Sequence, residues 1–221
     1  MAAIQRTGIY GSYVGSPSGS SEPLSEEQMQ VNAIYIRTSL RAQGWTDNSI
    51  AALLGNMQAE SSINPGRWQN DSIGSEPLGY GLVQWTPSTK YTSWANSQGY
   101  SDASEMDSNL ARIVYEVQNN VQWIATGSFS NMSFLEFAKS NRSPHVLAIA
   151  FLLCYERPAD QSEEVQAKRG SMADAWYTYL TGNPTPPDIP DTPGGTTTKK
   201  KKKYNFLLFN RRNKQWISRN Y

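Results

Sequence analysis

The stretch LLGNMQAESSINP, residues 53–65, decides how the rest of the sequence is interpreted. Its apolar residues recur at the spacing of one helix face, and Glu60, seven residues after Leu53, falls on that same face. Asn64-Pro65 cannot continue a helix, so Glu60 lies at the helix end. A carboxylate on the buried side of a helix must be paired or used. The pattern therefore predicts a carboxyl group whose pKa is raised by burial, at the edge of a cleft, as a general acid requires.

The bulk composition is that of a globular protein, with 221 residues of which 38% are hydrophobic and 11% aromatic. This length suits one domain with appendages. No apolar run reaches the ~18 residues of a transmembrane helix, and the first residues lack the apolar core of a signal peptide. The single cysteine, Cys154, excludes an internal disulfide. Together with the single histidine, His145, it leaves too few ligands for a Cys/His zinc site, so no metal or cofactor is expected.

Helical spacing recurs from residue 28 to residue 180, and we assign this range to one domain. Residues 1–27 are rich in Gly, Ser and Pro without a sustained period, which predicts an extended arm. Residues 61–87 predict a loop or short hairpin, with residues 80–85 as the most strand-like piece. The sequence therefore predicts a mainly α fold with a small β-containing loop region at the cleft.

The C-terminal tail differs from the body in charge. Residues 181–221 hold nine basic side chains against two acidic ones, whereas the first 180 residues hold 11 basic and 17 acidic ones. Residues 181–203 form a linker rich in Pro, Gly and Thr that ends in five lysines. In residues 204–221, YNFLLF and KQWISRNY flank a turn-like NRRN, which predicts a short β-hairpin. Such a hairpin is marginally stable alone and should dock on a partner.

Three blocks of the 28–180 region occur together in a recognisable order: Glu60-Ser61 with Asn64-Pro65, then GYGLVQW at residues 79–85, then an apolar helix ending in YERP at residues 155–158. With these blocks the chain resembles the phage tail lysozyme family, within the lysozyme and lytic transglycosylase superfamily. The resemblance implies an α+β lysozyme-like fold. It also implies cleavage of the β-1,4 glycan backbone of bacterial peptidoglycan between N-acetylmuramic acid and N-acetylglucosamine, with Glu60 as the general acid.

The second catalytic group is less specified by the sequence. If Glu60 were only structural, it would pair with a basic group such as Arg67 or Arg157. A glycosidase with two carboxylates needs the second one about 5 Å away for retention or about 6.5–9.5 Å away for inversion. Asp71 and Glu76 are the candidates, and loop solubility is the alternative role for both. Related enzymes use a water held by polar groups, or attack by the substrate's own hydroxyl, which makes a lytic transglycosylase.

Residues of the predicted loop supply candidates for substrate binding. By the resemblance, Gln84 is expected to line the cleft and to hydrogen-bond the sugar. Three aromatic side chains can stack on sugar faces or, alternatively, belong to the core: Tyr80, Trp85 and Trp68.

The end of the apolar helix offers further groups. The hydroxyl of Tyr155 can reach the acid, and Glu156 and Arg157 are expected to form a buried or capping pair. Cys154 and His145 are disfavoured as the thiol and base of a peptidase. Papain-like enzymes place the cysteine first, and Cys154 lies in the apolar run FLLCY, as an inert core thiol would.

The tail and the lack of a signal peptide suggest where the protein acts. Lysines 199–203 can bind nucleic acid, membranes or anionic wall polymers by charge alone, but no specific nucleic acid is implied. The apolar YNFLLF favours anchoring to phage tail proteins, with a strand added to a partner sheet. We therefore expect a virion tail protein that acts on the host cell wall. The alternatives are an endolysin released through a holin and a non-catalytic structural tail protein.

Overall fold

The order of elements follows from a computed structural model, which describes residues 2–17, 19–182, 184, 187, 206–210 and 215–219. The described residues contain seven helices: α1 (Glu26–Ala42), α2 (Asp47–Ser61), α3 (Thr89–Ser97), α4 (Met106–Asn119), α5 (Phe134–Ala138), α6 (Pro144–Phe151) and α7 (Glu163–Thr181). They also contain two antiparallel strand pairs: β1 (Ile4–Gly8) with β2 (Gly11–Gly15), and β3 (Phe206–Asn210) with β4 (Gln215–Arg219). The predicted mainly α fold with a small β component is confirmed. Within this described part, no helix is both long and apolar enough to cross a membrane.

Helix α2 lies at the centre of the domain, where it contacts α1, α5, α6 and α7. It begins at Thr46, whose side chain accepts a hydrogen bond from the backbone N–H of Ser49, and it ends at Ser62, which adopts a left-handed conformation with φ of 53°. Residues 49–57 of α2 are buried without interruption, so more than one face of this helix packs into the core. Only its two ends, residues 47–48 and 58–60, are partly exposed.

Helix α6 continues into a wider turn that positions the last block of the sequence. Ser143 caps α6 and Pro144 occupies its first position. The turn Leu152–Glu156 has π-helical geometry, which accommodates one residue more than an α-turn, and it ends at Arg157 with φ of 50°. Such wide turns are frequent at functional sites. Here the turn carries Tyr155 and Glu156 to the edge of the domain core.

The predicted extended arm at residues 1–27 is wrong, because its first part is a β-hairpin packed on α1. Val14 in β2 is fully buried, and Tyr13 is 2% exposed. The side chain of Asn32 in α1 clamps the hairpin: its Oδ1 accepts from the N–H of Val14 at 2.7 Å and its Nδ2 donates to the carbonyl of Val14 at 2.7 Å. Tyr13, Val14 and Gly15 are buried in succession, so β2 lacks the alternation of buried and exposed residues by which a strand is usually predicted.

More distant parts of the chain hold the other end of this hairpin. Arg6 forms an ion pair with Asp102 at 2.6 Å, and the N–H of Ile9 donates to Asp107 at 3.0 Å. Beyond β2, the N–H of Ser16 donates to the side chain of Asn64 at 3.0 Å. The N-terminal segment is therefore an integral layer of the domain, tied to residues up to 98 positions away.

The loop after α2 contains a tight turn where the sequence suggests a strand. The backbones of Tyr80 and Trp85 exchange two hydrogen bonds, of 3.2 and 3.1 Å, and so close the turn formed by residues 81–84. Gly81, with φ of 85°, takes a conformation that suits glycine. The side chain of Asn109 in α4 accepts a bond from the N–H of Leu82 at 3.0 Å. Isolated bridges link Tyr80 to Trp85 and to Trp68, but no strand forms in this loop.

The C-terminal strands β3 and β4 pair within the segment for which a hairpin is predicted, with Phe206 opposite Arg219 and Asn210 opposite Gln215. Residues 211–214 between them, lysines 199–203 and nearly all of the linker lie outside the described residues. The division of the tail into linker and anchor therefore stays a prediction.

Candidate active site

A cleft of about 660 Å³ opens where the end of α2 meets the loop after it, the start of α3 and the wide turn after α6. Its walls are mostly polar and include Glu60, Arg67, Asp71, Gln84, Lys90 and Glu156. This size is within the range of cavities that bind small ligands, about 300–1,000 Å³. The cleft therefore has room for a polar ligand and brings together residues from all three sequence blocks at its floor and walls.

Glu60 lies in the last turn of α2 and lines the cleft. Its side chain is 24% exposed, and its Oε1 accepts a hydrogen bond from Nη2 of Arg169 in α7 at 2.5 Å. Nη1 of the same guanidinium donates to the backbone carbonyl of Asn56 at 2.9 Å. The ion-pair partner of Glu60 is thus neither Arg67 nor Arg157. Arg169 fixes the orientation of the carboxyl group at the mouth of the cleft.

Glu156, at the end of the wide turn, is the second carboxyl group at this point. Its side chain is 5% exposed, and its Oε2 lies 3.7 Å from Nη2 of Arg169. Burial raises the pKa of Glu156 well above its ordinary value; the neighbouring charge of Glu60 raises it further, and Arg169 opposes the shift. Burial and the neighbouring carboxylate thus favour the neutral, protonated form of Glu156.

The expected pairing of Glu156 with Arg157 is wrong, because the two side chains point to different partners. Nη1 of Arg157 donates to the backbone carbonyls of Gln122 at 2.6 Å and Cys154 at 2.7 Å. Arg157 thus closes the end of the wide turn, where backbone carbonyls would otherwise lack donors, and leaves Glu156 facing Glu60.

Of the two carboxylates predicted in the loop, the structure brings one to the cleft. Asp71 lines it and forms an ion pair with Arg67, although 60% of the Asp71 side chain is exposed. Glu76 is exposed and is not among the cleft-lining residues; its backbone carbonyl accepts bonds from Ser88. Glu76 is therefore badly placed for the proposed second catalytic role.

Gln84 lines the cleft, as expected from the sequence, and its side chain is held by the backbone. Its Nε2 donates to the carbonyls of Gly81 at 2.9 Å and Arg67 at 3.1 Å. Its Oε1 is buried and has no hydrogen-bond partner among the described residues. An amide fixed in this way cross-links the two halves of the loop and supports the shape of the cleft wall.

The three candidate aromatic residues differ in accessibility. Trp68 is partly exposed and lines the cleft. Tyr80 is 5% exposed and does not line it. Trp85 lines the cleft but is 4% exposed and stacks on Tyr91 with ring centres 4.4 Å apart. Tyr80 and Trp85 therefore belong mainly to the core, and Trp68, whose ring packs on Tyr80, is the most accessible of the three.

The sequence predicts that the hydroxyl of Tyr155 can reach Glu60. In the structure this hydroxyl instead donates to Oε2 of Glu116 in α4 at 2.5 Å. Glu116 also accepts from Nε1 of Trp85 at 3.0 Å and from Nε of Arg112 at 2.8 Å. Burial raises the pKa of Glu116, while its hydrogen bonds to Tyr155 and Arg112 oppose this shift. This buried network supports the wall of the cleft from behind.

Two residues that the sequence analysis missed carry the same kind of signal as Glu60. Arg169 precedes Ala173, Trp176 and Leu180 at the spacing of one helix face, and Glu116 adjoins the buried Ile113 and Val117. A charged residue on the apolar face of a helix marks both. Over the described part of the chain, no group of three or more acidic, His or Cys side chains is arranged to hold a metal ion.

Comparisons with known proteins agree with this geometry. The sequence profile of the phage tail lysozyme family matches residues 31–180. Morphogenesis protein 1 of Bacillus phage B103 is 52% identical over 159 residues, which are 72% of this chain and 42% of that protein. The chain thus spans about two fifths of the length of this relative. Because the family match includes every helix from α2 to α6 and every residue that lines the cleft, the chain belongs to the phage tail lysozyme family.

Proposed function

We propose that the protein cleaves the β-1,4 glycan backbone of bacterial peptidoglycan between N-acetylmuramic acid and N-acetylglucosamine, with Glu60 as the general acid. The observation that carries this proposal is the position of Glu60 at the end of α2, lining a polar cleft beside the buried carboxyl of Glu156. A general acid must present a proton to the glycosidic oxygen as the bond breaks. Membership of the family supports the same reaction.

The rest of the cleft suits a glycan that carries acidic substituents. Trp68 offers a partly exposed ring for a sugar face. Lys90 lines the same cleft and is exposed, so its ammonium group can attract the carboxylates of the lactyl group and the stem peptide. Apolar stacking combined with a few placed charges is the usual composition of a saccharide site.

We propose Asp71 as the second carboxylate, which would hold the attacking water. Asp71 lines the cleft and is held there by its ion pair with Arg67. The second candidate is a lytic transglycosylase. Besides Glu60, the carboxyl groups among the described residues that line the cleft are Asp71, which is ion-paired, and Glu156, which is buried. The absence of an unpaired, accessible second carboxylate among these residues favours a transglycosylase. Attack by the substrate's own hydroxyl needs no second carboxylate.

The decisive measurement is the release of new sugar ends from purified peptidoglycan by the wild type and by Glu60→Gln. We expect Glu60→Gln to lower the rate by roughly 10²–10⁴-fold, the usual contribution of a general acid. Glu164→Gln, the same change at an exposed position in the first turn of α7, is the matched control and should keep full activity. Equal rates for the wild type and Glu60→Gln would refute the catalytic role.

Mass spectrometry of the products separates the two reactions. Ordinary reducing ends, lost in Asp71→Asn, are expected for a hydrolase. If 1,6-anhydro ends are the main product and Asp71→Asn keeps its rate, the protein is a transglycosylase.

We further propose that the protein acts from the virion tail to open the host wall. The name of the relative in phage B103, a morphogenesis protein, supports an association with phage particles. The predicted anchor is the tail that contains β3 and β4. Truncation after Leu180 should leave glycan cleavage intact and abolish incorporation into particles. Undiminished incorporation would refute anchoring and favour a released endolysin, whereas an inactive but incorporated wild type would indicate a structural tail protein.

A further inference from the structure

A single guanidinium group serves two carboxyl groups at the cleft. Nη2 of Arg169 lies 2.5 Å from Oε1 of Glu60 and 3.7 Å from Oε2 of Glu156. The three residues come from α2, α7 and the wide turn after α6, so the cluster forms only when these elements pack together. With both carboxyl groups ionised, the cluster would hold two negative charges against one positive charge in a poorly hydrated place, which is unfavourable.

The surroundings decide which of the two carboxyl groups keeps a proton. Both oxygens of Glu156 are buried and meet no hydrogen-bond donor within the described part of the chain. As a carboxylate it would be an unsatisfied buried charge, which is strongly disfavoured. As a carboxylic acid it gains an O–H that can donate to Glu60. Glu60, with 24% of its side chain exposed and a direct bond from Arg169, is the better place for the negative charge.

The other charged groups near this cluster are occupied elsewhere. Arg157, next to Glu156 in the chain, donates to backbone carbonyls. Glu116 of α4 is bound by three donors, and His145 of α6 is paired with Asp174 of α7 at 2.9 Å. After burial itself, the groups that govern the protonation of Glu156 are therefore Glu60 and Arg169.

We propose that Glu60 and Glu156 share one proton, which Glu156 holds in the resting protein and returns to Glu60 when a glycan occupies the cleft. This inference rests on the proposed glycan cleavage. Glu156 acts through Glu60 and is a positioning residue for its proton. A carboxyl pair that cannot ionise twice is an established way to keep one acid protonated.

The proton is accounted for at each step. A bound glycan displaces water from Glu60 and disfavours its carboxylate. The proton then moves from Glu156 to Glu60, and the negative charge moves to Glu156, 3.7 Å from Arg169. Glu60 donates the proton to the glycosidic oxygen as its bond to the sugar carbon breaks. The nucleophile loses a proton when it attacks: a water gives it to Asp71, and the substrate's own hydroxyl gives it to Glu60. The pair is doubly ionised only until it regains one proton, from the hydroxyl directly or from solvent after Asp71 has released its proton there.

The first test compares the pH profiles of glycan cleavage for the wild type and Glu156→Gln. Glutamine has the same shape and is neutral, but it cannot hold or return a proton. The alkaline limb of the variant's profile should move to lower pH, and above that limb each pH unit of displacement should lower the activity about tenfold. Its activity at low pH, where Glu60 binds a proton from solvent, should return to within about twofold of the wild type. An unchanged alkaline limb would overturn the proposal, because a purely structural role would lower the rate equally at all pH values.

The second test does not depend on activity. The full chain is labelled with ¹³C at the glutamate side-chain carboxyl, and each resonance is followed by NMR as the pH is changed. The resonance missing from Glu156→Gln, or the one that shifts most in Glu60→Gln if Glu156→Gln does not fold, is assigned to Glu156. We expect it to keep its protonated position to a pH well above that at which an ordinary glutamate titrates. Titration near the ordinary glutamate pKa of about 4.3 would overturn the proposal.

The two tests separate this inference from the proposed function. If the wild type releases no sugar ends while Glu156 titrates well above an ordinary glutamate, glycan cleavage is wrong. The shared proton then stands as a structural property without the catalytic return step. If Glu60→Gln is inactive and Glu156 titrates as an ordinary glutamate, glycan cleavage stands and the shared proton is wrong.

Discussion

Replacement of Gly55 by alanine should separate the two helices that carry the charged cluster. Gly55 lies in α2 against α7, where an added Cβ would be 2.8 Å from the backbone N of Ala173 and 2.9 Å from the backbone O of Arg169. Ordinary contacts at a Cβ begin at about 3.4 Å, and both neighbours are backbone atoms that cannot rotate away. Relief of the overlap therefore requires α2 and α7 to move apart by roughly half an ångström or more.

The magnitude follows from two opposing effects. Alanine is favoured over glycine inside a helix by about 1 kcal/mol, whereas overpacking of a tight contact costs about 1–3 kcal/mol. Two overlaps with backbone atoms place the cost at the upper end, so the net loss of unfolding free energy should be about 1–2 kcal/mol. For a domain of this size that corresponds to a fall in Tm of roughly 2–8 °C.

The activity of Gly55→Ala should fall as well, because the bond between Glu60 and Arg169 crosses the same helix contact. A misplacement of this size should lower kcat by about tenfold or more.

The assay is urea unfolding followed by circular dichroism, in which the midpoint should fall without a change in slope. Ala175→Gly, at an exposed position of α7, is the matched control for helix propensity and should lose about 1 kcal/mol with normal specific activity. A Gly55→Ala protein as stable as the wild type, or more stable, would show that α2 and α7 are not held at this close distance and would refute the reasoning.

Three further substitutions test other contacts. Tyr155→Phe should lower the unfolding free energy at pH 7 by about 1.5–3 kcal/mol, because the buried Glu116 loses a charge-assisted hydrogen bond. This loss should become smaller in acid, where Glu116 is protonated. Urea unfolding at two pH values measures the difference. Asn32→Ala should lower the unfolding free energy by about 2–4 kcal/mol, because it leaves buried backbone groups of the N-terminal hairpin unpaired. The hairpin should then be cut by limited proteolysis, and an uncut hairpin would contradict this role of Asn32. The hydrogen bond from Arg37 lowers the pKa of Asp47, so this pair stabilises the fold fully above the ordinary aspartate pKa of about 3.9 and less as the pH falls below it. Asp47→Asn should therefore lower the unfolding free energy by about 1 kcal/mol at pH 7 and leave it unchanged near pH 2. A difference between the two proteins that does not depend on pH would contradict the assignment.

The features that the sequence predicts well depend on short stretches of chain. Thr46 is a typical capping residue and marks where α2 begins, and Asn64-Pro65 marks the region where α2 must end. The position of Glu60 at a helix end therefore follows from local rules. The N-terminal hairpin does not, because its stability comes from Asn32 and Asp107, which no local pattern connects to its Gly- and Ser-rich strands.

The partners of Glu60 are set by tertiary packing. Arg169 is 109 residues away from Glu60 in the chain. Its position on an apolar helix face indicates that it forms an ion pair, but it does not identify the partner. The wide turn after α6 is beyond the reach of periodicity, since one extra residue in a turn rotates every side chain after it by about 100°. Helix spacing alone would therefore place Glu156 and Tyr155 on the wrong faces.

The anchoring of the N-terminal hairpin has a consequence for the order in which the protein folds during its synthesis. β1 and β2 leave the ribosome before the helices of this domain, but Arg6 and Ile9 find their partners only after residues 102 and 107 have been made. An isolated two-stranded hairpin is marginally stable in water, and contacts between distant residues form late because of the entropy of loop closure. These two strands, although synthesised before the helices, are therefore among the last elements of the domain to acquire their native contacts, and until then the nascent domain depends on its helices for compactness.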